Sequence, residues 1–298
     1  MVALTEITAA PGRRQRVLDA EPAKRRSSTW VSIAMVVPGV ILAVLVVAYP
    51  LLTSAWSALT AQDEGQSAFR WLAENPVYID ILRQTLLTGA LTVVMALALG
   101  YPYAYLMVLV SPRWRTALLV ITLIPFWVSG LVRIFAWVIL LQSGGPVSTL
   151  LPFLGGEGLL RTQLAVQIGL VQVLLPFMIL PLYNSIRTVD PRLMQAAESL
   201  GARRSVAFFR VFVPLSLPGV QAGSLVVFIL TLGFYVLPQM LGSPSTAMIG
   251  NAIYTQASSL GNLGRAGAMS MLLIISAMVL VAAVVGAGRL LGRIGGRR

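Results

Sequence analysis

Long apolar stretches recur along the sequence, and they limit the folds that it can adopt. Several exceed about 20 residues, the length at which an α-helix crosses the hydrocarbon core of a bilayer. The apolar content of 57% and the mean hydropathy of +0.84 are far above those of a soluble domain. The sequence therefore predicts an all-α fold, a polytopic membrane protein with six transmembrane helices. We place these spans at 31–57, 81–110, 116–141, 163–187, 218–241 and 266–288.

Basic residues indicate which ends of the predicted spans face the cytoplasm. Most of the 22 Lys and Arg residues lie in the two terminal segments, in the 111–115 turn and in the segment 187–210. Six spans place all four of these segments on one side of the membrane, whereas five or seven spans do not. By the positive-inside rule that side is the cytoplasm, so we expect both termini to be cytoplasmic. The opposite side then holds 58–80, 142–162 and 242–265.

The six spans and their loops form one predicted transmembrane domain, residues 31–289, between two basic tails. Residues 1–30 combine Pro, Ser and a basic cluster, so we expect a disordered cytoplasmic tail that lies near anionic membrane lipids. Residues 290–298 form a second, short basic cytoplasmic tail. In a membrane protein the net charge of +12 reflects basic cytoplasmic loops, and we expect no nucleic-acid partner.

The composition also excludes several kinds of chemistry. The chain has no His and no Cys, so it has no imidazole base, thiol nucleophile or disulfide. Its only lysine is Lys24 in the N-terminal tail, whereas a phosphate-binding loop needs a lysine directly after its glycines. We therefore predict no catalytic residue, no metal site and no cofactor in this chain, which is not expected to be an enzyme.

The polar segment 188–217 interrupts the apolar pattern between the fourth and fifth spans. Asp190 is suited to cap a helix, and the proline that follows it is suited to the first helical position. Gly201 suits the left-handed residue that ends such a helix. A second amphipathic stretch follows, and we expect Pro214 and Pro218 to break it. The segment therefore predicts a short helix, a tight bend and a second short helix.

The spacing of residues in this segment resembles the EAA loop of the membrane subunits of bacterial binding-protein-dependent (type I) ABC importers. That pattern is Glu-Ala-Ala, three residues, Gly, nine residues, Ile, one residue and Leu-Pro. Gln195 replaces the usual Glu here and Val211 the usual Ile. The alternative is a generic cytoplasmic loop that contains a helix. The residues at the spacing of the motif are Gln195, Ala196, Ala197, Gly201, Val211, Val213 and Pro214.

The resemblance implies that 188–217 is a cytoplasmic coupling loop on which an ABC ATPase dimer docks. ATP and Mg would then bind the partner ATPase, and the first helix of the loop would act as a lever during alternating access. The residues implied to mediate this coupling are Asp190, Gln195, Ala196, Ala197, Glu198, Gly201, Ala202 and Pro214.

Further stretches are similar to the spermidine/putrescine branch of the same family, over residues 30–290. They are PFWVSGLVRIFAW, LLPFMILPLYNSIRTVDPRLMQAAESLGA and AGSLVVFILTLGFYVLPQMLG. The resemblance implies a multi-pass protein of the bacterial inner membrane that forms half of the pathway for a small polar solute, here a polyamine. The implied partners are the ATPase dimer, a second permease subunit, usually non-identical, and a periplasmic or lipid-anchored solute-binding protein.

The charge of the spans departs from the pattern of that branch. Many of its members have an acidic residue just after the fifth-span Gly, where this chain has Phe234, and no predicted span contains Asp or Glu. A polycation would meet aromatic faces in this chain, and Arg133 would repel it. Either partner chains supply the carboxylates, or the solute is another one, such as an amino acid or an organic anion. An ATPase-independent secondary transporter is a further alternative.

Polar and aromatic residues inside the spans are the candidates for a solute pathway. A charge at the depth of Arg133 costs several kcal/mol and usually faces a cavity or a partner, although an anchor to backbone carbonyls is an equal alternative. Interfacial anchoring is the alternative for the tryptophans. Gln163 and Gln167, one helical turn apart, are expected to join helices. The pathway candidates are Trp127, Arg133, Trp137, Phe234, Tyr235 and Gln239.

Overall fold

The computed structural model describes residues 28–60, 62–63, 66–150 and 158–295. Helices account for most of this part of the chain, which confirms the predicted all-α class. The predicted N-terminal tail, residues 1–30, lies outside the described residues except for its last three, with which the first helix begins. Of the predicted C-terminal tail, the part up to residue 295 continues the last helix.

The first half of the described chain contains the helices up to the fourth predicted span. Helix α1 is followed by a small hairpin of two antiparallel strands, β1 and β2, and then by helices α2 to α7. Their bounds are α1 Ser28–Thr60, β1 Gln62–Asp63, β2 Gln66–Ser67, α2 Ala68–Glu74, α3 Val77–Leu109, α4 Pro112–Leu123, α5 Gly130–Leu141, α6 Pro146–Leu150 and α7 Gln163–Ile186.

The second half begins with a short helix in the polar segment. It ends with α13, which has 33 residues and is as long as α3. A π-helical segment, Phe208–Phe212, joins α9 to α10 without a break in the helical path, and another, Thr255–Ser259, follows α12. The bounds are α8 Pro191–Ser199, α9 Arg204–Ala207, α10 Val213–Leu232, α11 Val236–Leu241, α12 Ile249–Tyr254 and α13 Leu263–Gly295.

Six segments of the described chain are helical, long and apolar enough to cross a bilayer, which confirms the predicted number of spans. The first, second, fourth and sixth segments lie within a few residues of their predicted positions, and the third and fifth do not. The six segments are Met35–Thr60, Val77–Leu109, Gly130–Leu150, Gln163–Ile186, Arg204–Leu232 and Leu263–Gly286.

The third predicted span, 116–141, is wrong as a single helix. Helix α4 passes into a 3₁₀ turn, Ile124–Trp127, and α5 begins only at Gly130. Pro125 removes a backbone donor at this point, and Val128 then adopts an extended conformation with φ −92° and ψ 130°, which ends the helical path. The segment that is long and apolar enough to cross a bilayer is instead Gly130–Leu150, which contains α5 and α6.

The fifth predicted span, 218–241, begins and ends too late, because neither Pro214 nor Pro218 breaks the helix. The π-helical segment directly before Pro214 uses wider hydrogen bonds, such as the one from the Val213 N–H to the Phe208 carbonyl. Local π adjustments of this kind accommodate the missing proline donor within a continuous helix. The helical path ends at Leu232 instead.

Three helices, α3, α7 and α10, form the centre of the fold. Met107 of α3, Met178 and Leu182 of α7 and Val227 of α10 are fully buried in one apolar cluster. Gly219 of α10 lies against α7 so closely that a Cβ atom there would overlap the side chain of Ser185 and approach the Pro181 carbonyl to 2.9 Å. Small residues at such positions let the backbones of membrane helices come into contact.

A second close approach joins the last helix to the end of the first. Gly267 of α13 lies directly against the carbonyl of Ser54, and the Ser57 hydroxyl donates to the Leu263 carbonyl at 3.3 Å. Ala58, Ala268 and Met269 are buried in the adjoining apolar cluster. The small residues of the sixth span therefore serve helix packing at this end of α13.

We expect Gly219→Ala to lower the free energy of unfolding by about 1–3 kcal/mol, because overpacking a close helix contact forces backbone shifts. The matched control is Gly286→Ala in α13, where an added Cβ meets no atom within 4 Å. Thermal unfolding of the purified chain in detergent measures both variants. Equal stability of the two variants would contradict the close packing of α10 against α7.

Candidate coupling surface and solute pathway

Helix α8 begins and ends where its sequence predicts. The Asp190 carboxylate accepts a hydrogen bond from the Arg192 N–H at 2.9 Å, and Pro191 occupies the first turn. At the other end Gly201 has φ +89°, the left-handed conformation that favours glycine. Its N–H donates to the Glu198 carbonyl at 2.9 Å. Together with the hydrogen bond of the following residue, this forms a Schellman motif that terminates the helix.

The apolar face of α8 is largely uncovered. None of its nine residues is buried, and Leu200, which follows its last turn, is 89% exposed. Leu193 and Ala196 are also exposed. Met194 is half-buried and, with Val189 just before the helix, packs against the central apolar cluster. The helix is thus attached to the body through one side, while Leu193, Ala196 and Leu200 remain exposed.

The remaining residues with a predicted coupling role occupy different parts of this segment. Gln195 and Glu198 are exposed on α8, and Ala197 and Ala202 are half-buried. Pro214 is exposed in the first turn of α10 and so is not part of α8. The ion pair Arg70–Glu74 is remote in sequence from this loop. The charges of α8 and its flanks therefore have no salt-bridge partner within the described chain.

The break in the third predicted span places Arg133 beside a backbone carbonyl. The Arg133 Nη1 donates to the Pro125 carbonyl at 3.0 Å and so spans the non-helical turn between α4 and α5. The Trp137 indole N–H approaches the Gln172 side-chain oxygen of α7 at 3.4 Å. Trp127, at the end of the turn, is 81% exposed and has no such contact. The anchoring alternative for Arg133 thus has a specific acceptor, and a pathway role for it stays a prediction.

A second break contains Phe234 and Tyr235, between the end of α10 and the start of α11. Phe234 is half-buried and packs against the same apolar cluster as Trp137. The ring of Tyr235 stacks on that of Tyr254 in α12, with centroids 5.1 Å apart and an interplanar angle of 18°. Gln239 is exposed on α11. The fold therefore brings Trp137 and Phe234 to one cluster, whereas Trp127 lies outside it.

The two glutamines of α7 join it to α3, as the sequence predicts. Gln163 donates to the Thr88 hydroxyl at 2.9 Å, and the Thr92 hydroxyl donates to the Gln167 side-chain oxygen at 2.9 Å. Gln167 is only 1% exposed and also donates to the Thr88 carbonyl. Sequence reasoning missed the threonine partners, although their spacing along α3 places them on one helical face.

Two cavities adjoin these polar residues. One, of about 400 Å³, lies beside the start of α7 and is lined by side chains that include Gln84, Gln163 and Ser245. The other, of about 150 Å³, lies next to the break in the third predicted span and is lined by residues that include Tyr103, Thr122 and Gln172. Among the described residues that line the two cavities, none is charged. Their hydroxyl and amide groups suit hydrogen bonding to a polar solute.

Comparisons with known proteins identify the family. Residues 93–293 match the binding-protein-dependent transport system inner membrane component family. The chain is 37% identical over 216 residues to the spermidine/putrescine transport system permease protein PotB of Haemophilus influenzae, covering 69% of this chain and 76% of that protein. It is 33% identical over 213 residues to PotB of Escherichia coli, with 70% and 78% covered.

The fold is also similar to that of a solved ABC transporter. The match is a chain in the crystal structure of a bacterial alginate ABC transporter in complex with an alginate pentasaccharide-bound periplasmic protein. It has a TM-score of 0.71 at 19% identity and covers 88% of this chain and 95% of that one. The chain belongs to the binding-protein-dependent transport system inner membrane component family. It is therefore a non-catalytic permease subunit of an ABC importer, and ATP hydrolysis belongs to a separate subunit.

We expect Arg133→Met to lower the free energy of unfolding by about 1–3 kcal/mol, because the Pro125 carbonyl then loses its donor in an apolar region. Arg133→Lys keeps a donor and a charge and is the matched control, with a smaller expected loss. Thermal unfolding in detergent measures both variants. An Arg133→Met chain as stable as the parent would contradict the anchoring role.

Proposed function

We propose that this permease subunit moves a polyamine inward across the bacterial inner membrane and couples to its ATPase through α8. In this proposal both termini and α8 are cytoplasmic, and the loops on the opposite side meet a periplasmic or lipid-anchored solute-binding protein. A second permease subunit completes the pathway. ATP and Mg bind the ATPase dimer, whose closure moves α8 and switches the spans between inward-open and outward-open states.

The uncovered apolar face of α8 is the observation that supports the coupling role. A helix that exposes Leu193, Ala196 and Leu200 needs another protein surface to remove them from water. The Schellman motif at Gly201 and the cap at Asp190 fix the helix ends, so the exposed face is presented by a formed helix. Its unpaired charges, including Glu198, suit a polar rim around that contact.

The orientation is supported by the distribution of charge. Four exposed arginines lie between the start of α8 and the end of the π-helical segment, namely Arg192, Arg203, Arg204 and Arg210. The positive-inside rule assigns such short basic loops to the cytoplasm, where the ATPase binds nucleotide.

The polyamine assignment is supported by the two PotB relatives, both of which are named as spermidine/putrescine permease proteins. The six described membrane segments contain no acidic residue except Asp80, near the start of α3. In this chain a polycation would therefore be held by side-chain oxygens, backbone carbonyls and aromatic faces such as those of Tyr235 and Tyr254. The pairing carboxylates would come from the second permease or the binding protein.

A second candidate solute class is an amino acid or a small organic anion. The half-buried Arg133 favours it, because a guanidinium group binds carboxylates through a bidentate arrangement and opposes a polycation. In this alternative the coupling role of α8 is the same and only the solute changes.

ATPase activity of the complete complex in lipid separates the two solute classes. The complex contains this permease, its ATPase, the second permease and the binding protein, and the added solutes are polyamines, amino acids and small organic anions. We expect spermidine or putrescine to stimulate ATP hydrolysis through the binding protein. Stimulation by another solute alone would overturn the polyamine assignment and leave the importer class intact.

We expect Leu200→Asp to weaken association with the ATPase at least tenfold, because a charge then replaces an apolar contact at the centre of the proposed interface. Leu260→Asp is the matched control, since Leu260 is 62% exposed in the region of the opposite loops. Co-purification from detergent at increasing salt measures the association. Equal retention of the ATPase by the two variants would contradict docking on α8.

A further inference from the structure

An aromatic cluster joins α3 to the π-helical segment that follows α9. Its three members are Tyr105, Phe208 and Phe212. The Tyr105 ring packs edge to face against both phenylalanine rings. The ring centroids are 5.4 Å apart for Phe208 and 5.2 Å apart for Phe212, with interplanar angles of 75° and 80°. The two phenylalanine rings stack at 5.4 Å and 18°. We call these three residues the aromatic cluster.

The π-helical geometry occurs where these phenylalanines meet α3. It covers Phe208–Phe212, between two α-helical stretches of one continuous path. Segments of this kind are rare and frequently lie at functional sites. Next to them the Tyr101 hydroxyl and the buried Ser216 hydroxyl are hydrogen-bonded at 2.8 Å, so α3 and α10 are also joined by a polar contact.

Helix α8 also contacts the π-helical segment. Met194 and Val189 pack against the apolar cluster that contains Phe212, and Tyr105 and Phe208 pack against it too. Apart from Met194 and the half-buried Ala197, α8 is exposed, and a bend of a few residues separates it from α9. The aromatic cluster is therefore the point at which the exposed helix, the π-helical segment and the central helix α3 meet.

We propose that the aromatic cluster is the positioning contact through which movement of α8 is passed to α3. The inference rests on the proposed coupling role of α8. Close-packed interiors transmit displacement because they have little free volume to absorb it. The stacked rings of Phe208 and Phe212, with the Tyr105 ring packed against both, form such a contact. Loss of the Tyr105 ring leaves α8 able to bind the ATPase but separates its movement from that of α3.

The test uses the absence of cysteine in this chain. A single thiol introduced by Arg83→Cys lies at an exposed position near the start of α3, whereas Tyr105 lies near the end of the same helix. The labelling rate of this thiol by a maleimide is measured in the complete complex in lipid, with and without ATP and vanadate. No transported solute is needed, so the readout does not depend on the polyamine assignment.

We expect ATP and vanadate to change the labelling rate in the parent and in Tyr105→Phe, which keeps the ring. In Tyr105→Leu and in Phe208→Leu we expect the change in labelling rate caused by ATP and vanadate to fall at least threefold. The amount of ATPase bound and the basal ATP hydrolysis are expected to stay within twofold of the parent. A purely structural role would lower the amount of complex and leave the labelling change per complex intact.

Two outcomes would overturn the proposal: an unchanged labelling response in both leucine variants, or no response to nucleotide in the parent. Failure of the underlying coupling role looks different. In that case Leu200→Asp retains the ATPase as well as its control does, whatever the labelling result. If Tyr105→Leu fails to fold, Phe208→Leu provides the same comparison.

Discussion

The requirement that backbone polar groups be hydrogen-bonded in lipid governs this structure. A continuous helix satisfies this requirement with its own backbone hydrogen bonds. The breaks before α5 and after α10 lack part of that hydrogen-bond pattern. At the first break Arg133 supplies a donor to the Pro125 carbonyl. At the second, the N–H groups of Gly233 and Phe234 bond to carbonyls of the last turn of α10. Non-helical backbone next to the spans therefore persists because nearby groups of the chain satisfy it, and both breaks carry predicted pathway residues.

The fold divides into a close-packed centre and an exposed helix, and this division suits a coupled transporter. Helices α3, α7 and α10 are held by glycine contacts and by the hydrogen bonds of Gln163 and Gln167. Helix α8 buries none of its residues and is attached through a few apolar side chains. A partner that displaces α8 therefore acts on an element that can move without first unfolding the centre.

Sequence predicted the features that depend on local chemistry and missed those that depend on contacts. The number of spans follows from apolar length, and the ends of α8 follow from Asp190 and Gly201, whose roles are set within a few residues. Hydropathy alone predicted one continuous third span at 116–141. Hydropathy depends only on the apolar character of the residues, so it does not detect a break in the helix between them. It also could not anticipate that a π-helical segment would carry the chain past Pro214. The contacts of Tyr105 with the two phenylalanines join residues about a hundred positions apart, and the glutamine–threonine hydrogen bonds join residues 75 positions apart. Local sequence patterns do not predict contacts between such distant positions.

The charge of the described spans also constrains the proposed pairing of permeases. An ammonium group that leaves water within a membrane needs a carboxylate or several oxygen acceptors to offset its desolvation. The described spans of two copies of this chain would offer no carboxylate beyond Asp80, near the start of α3, and would add two half-buried Arg133 guanidinium groups. A polyamine pathway built from identical copies would thus be electrostatically unfavourable. The proposed polyamine transport therefore favours acidic groups contributed by a non-identical second permease or by the binding protein, whereas a pathway of identical copies favours anionic or zwitterionic solutes.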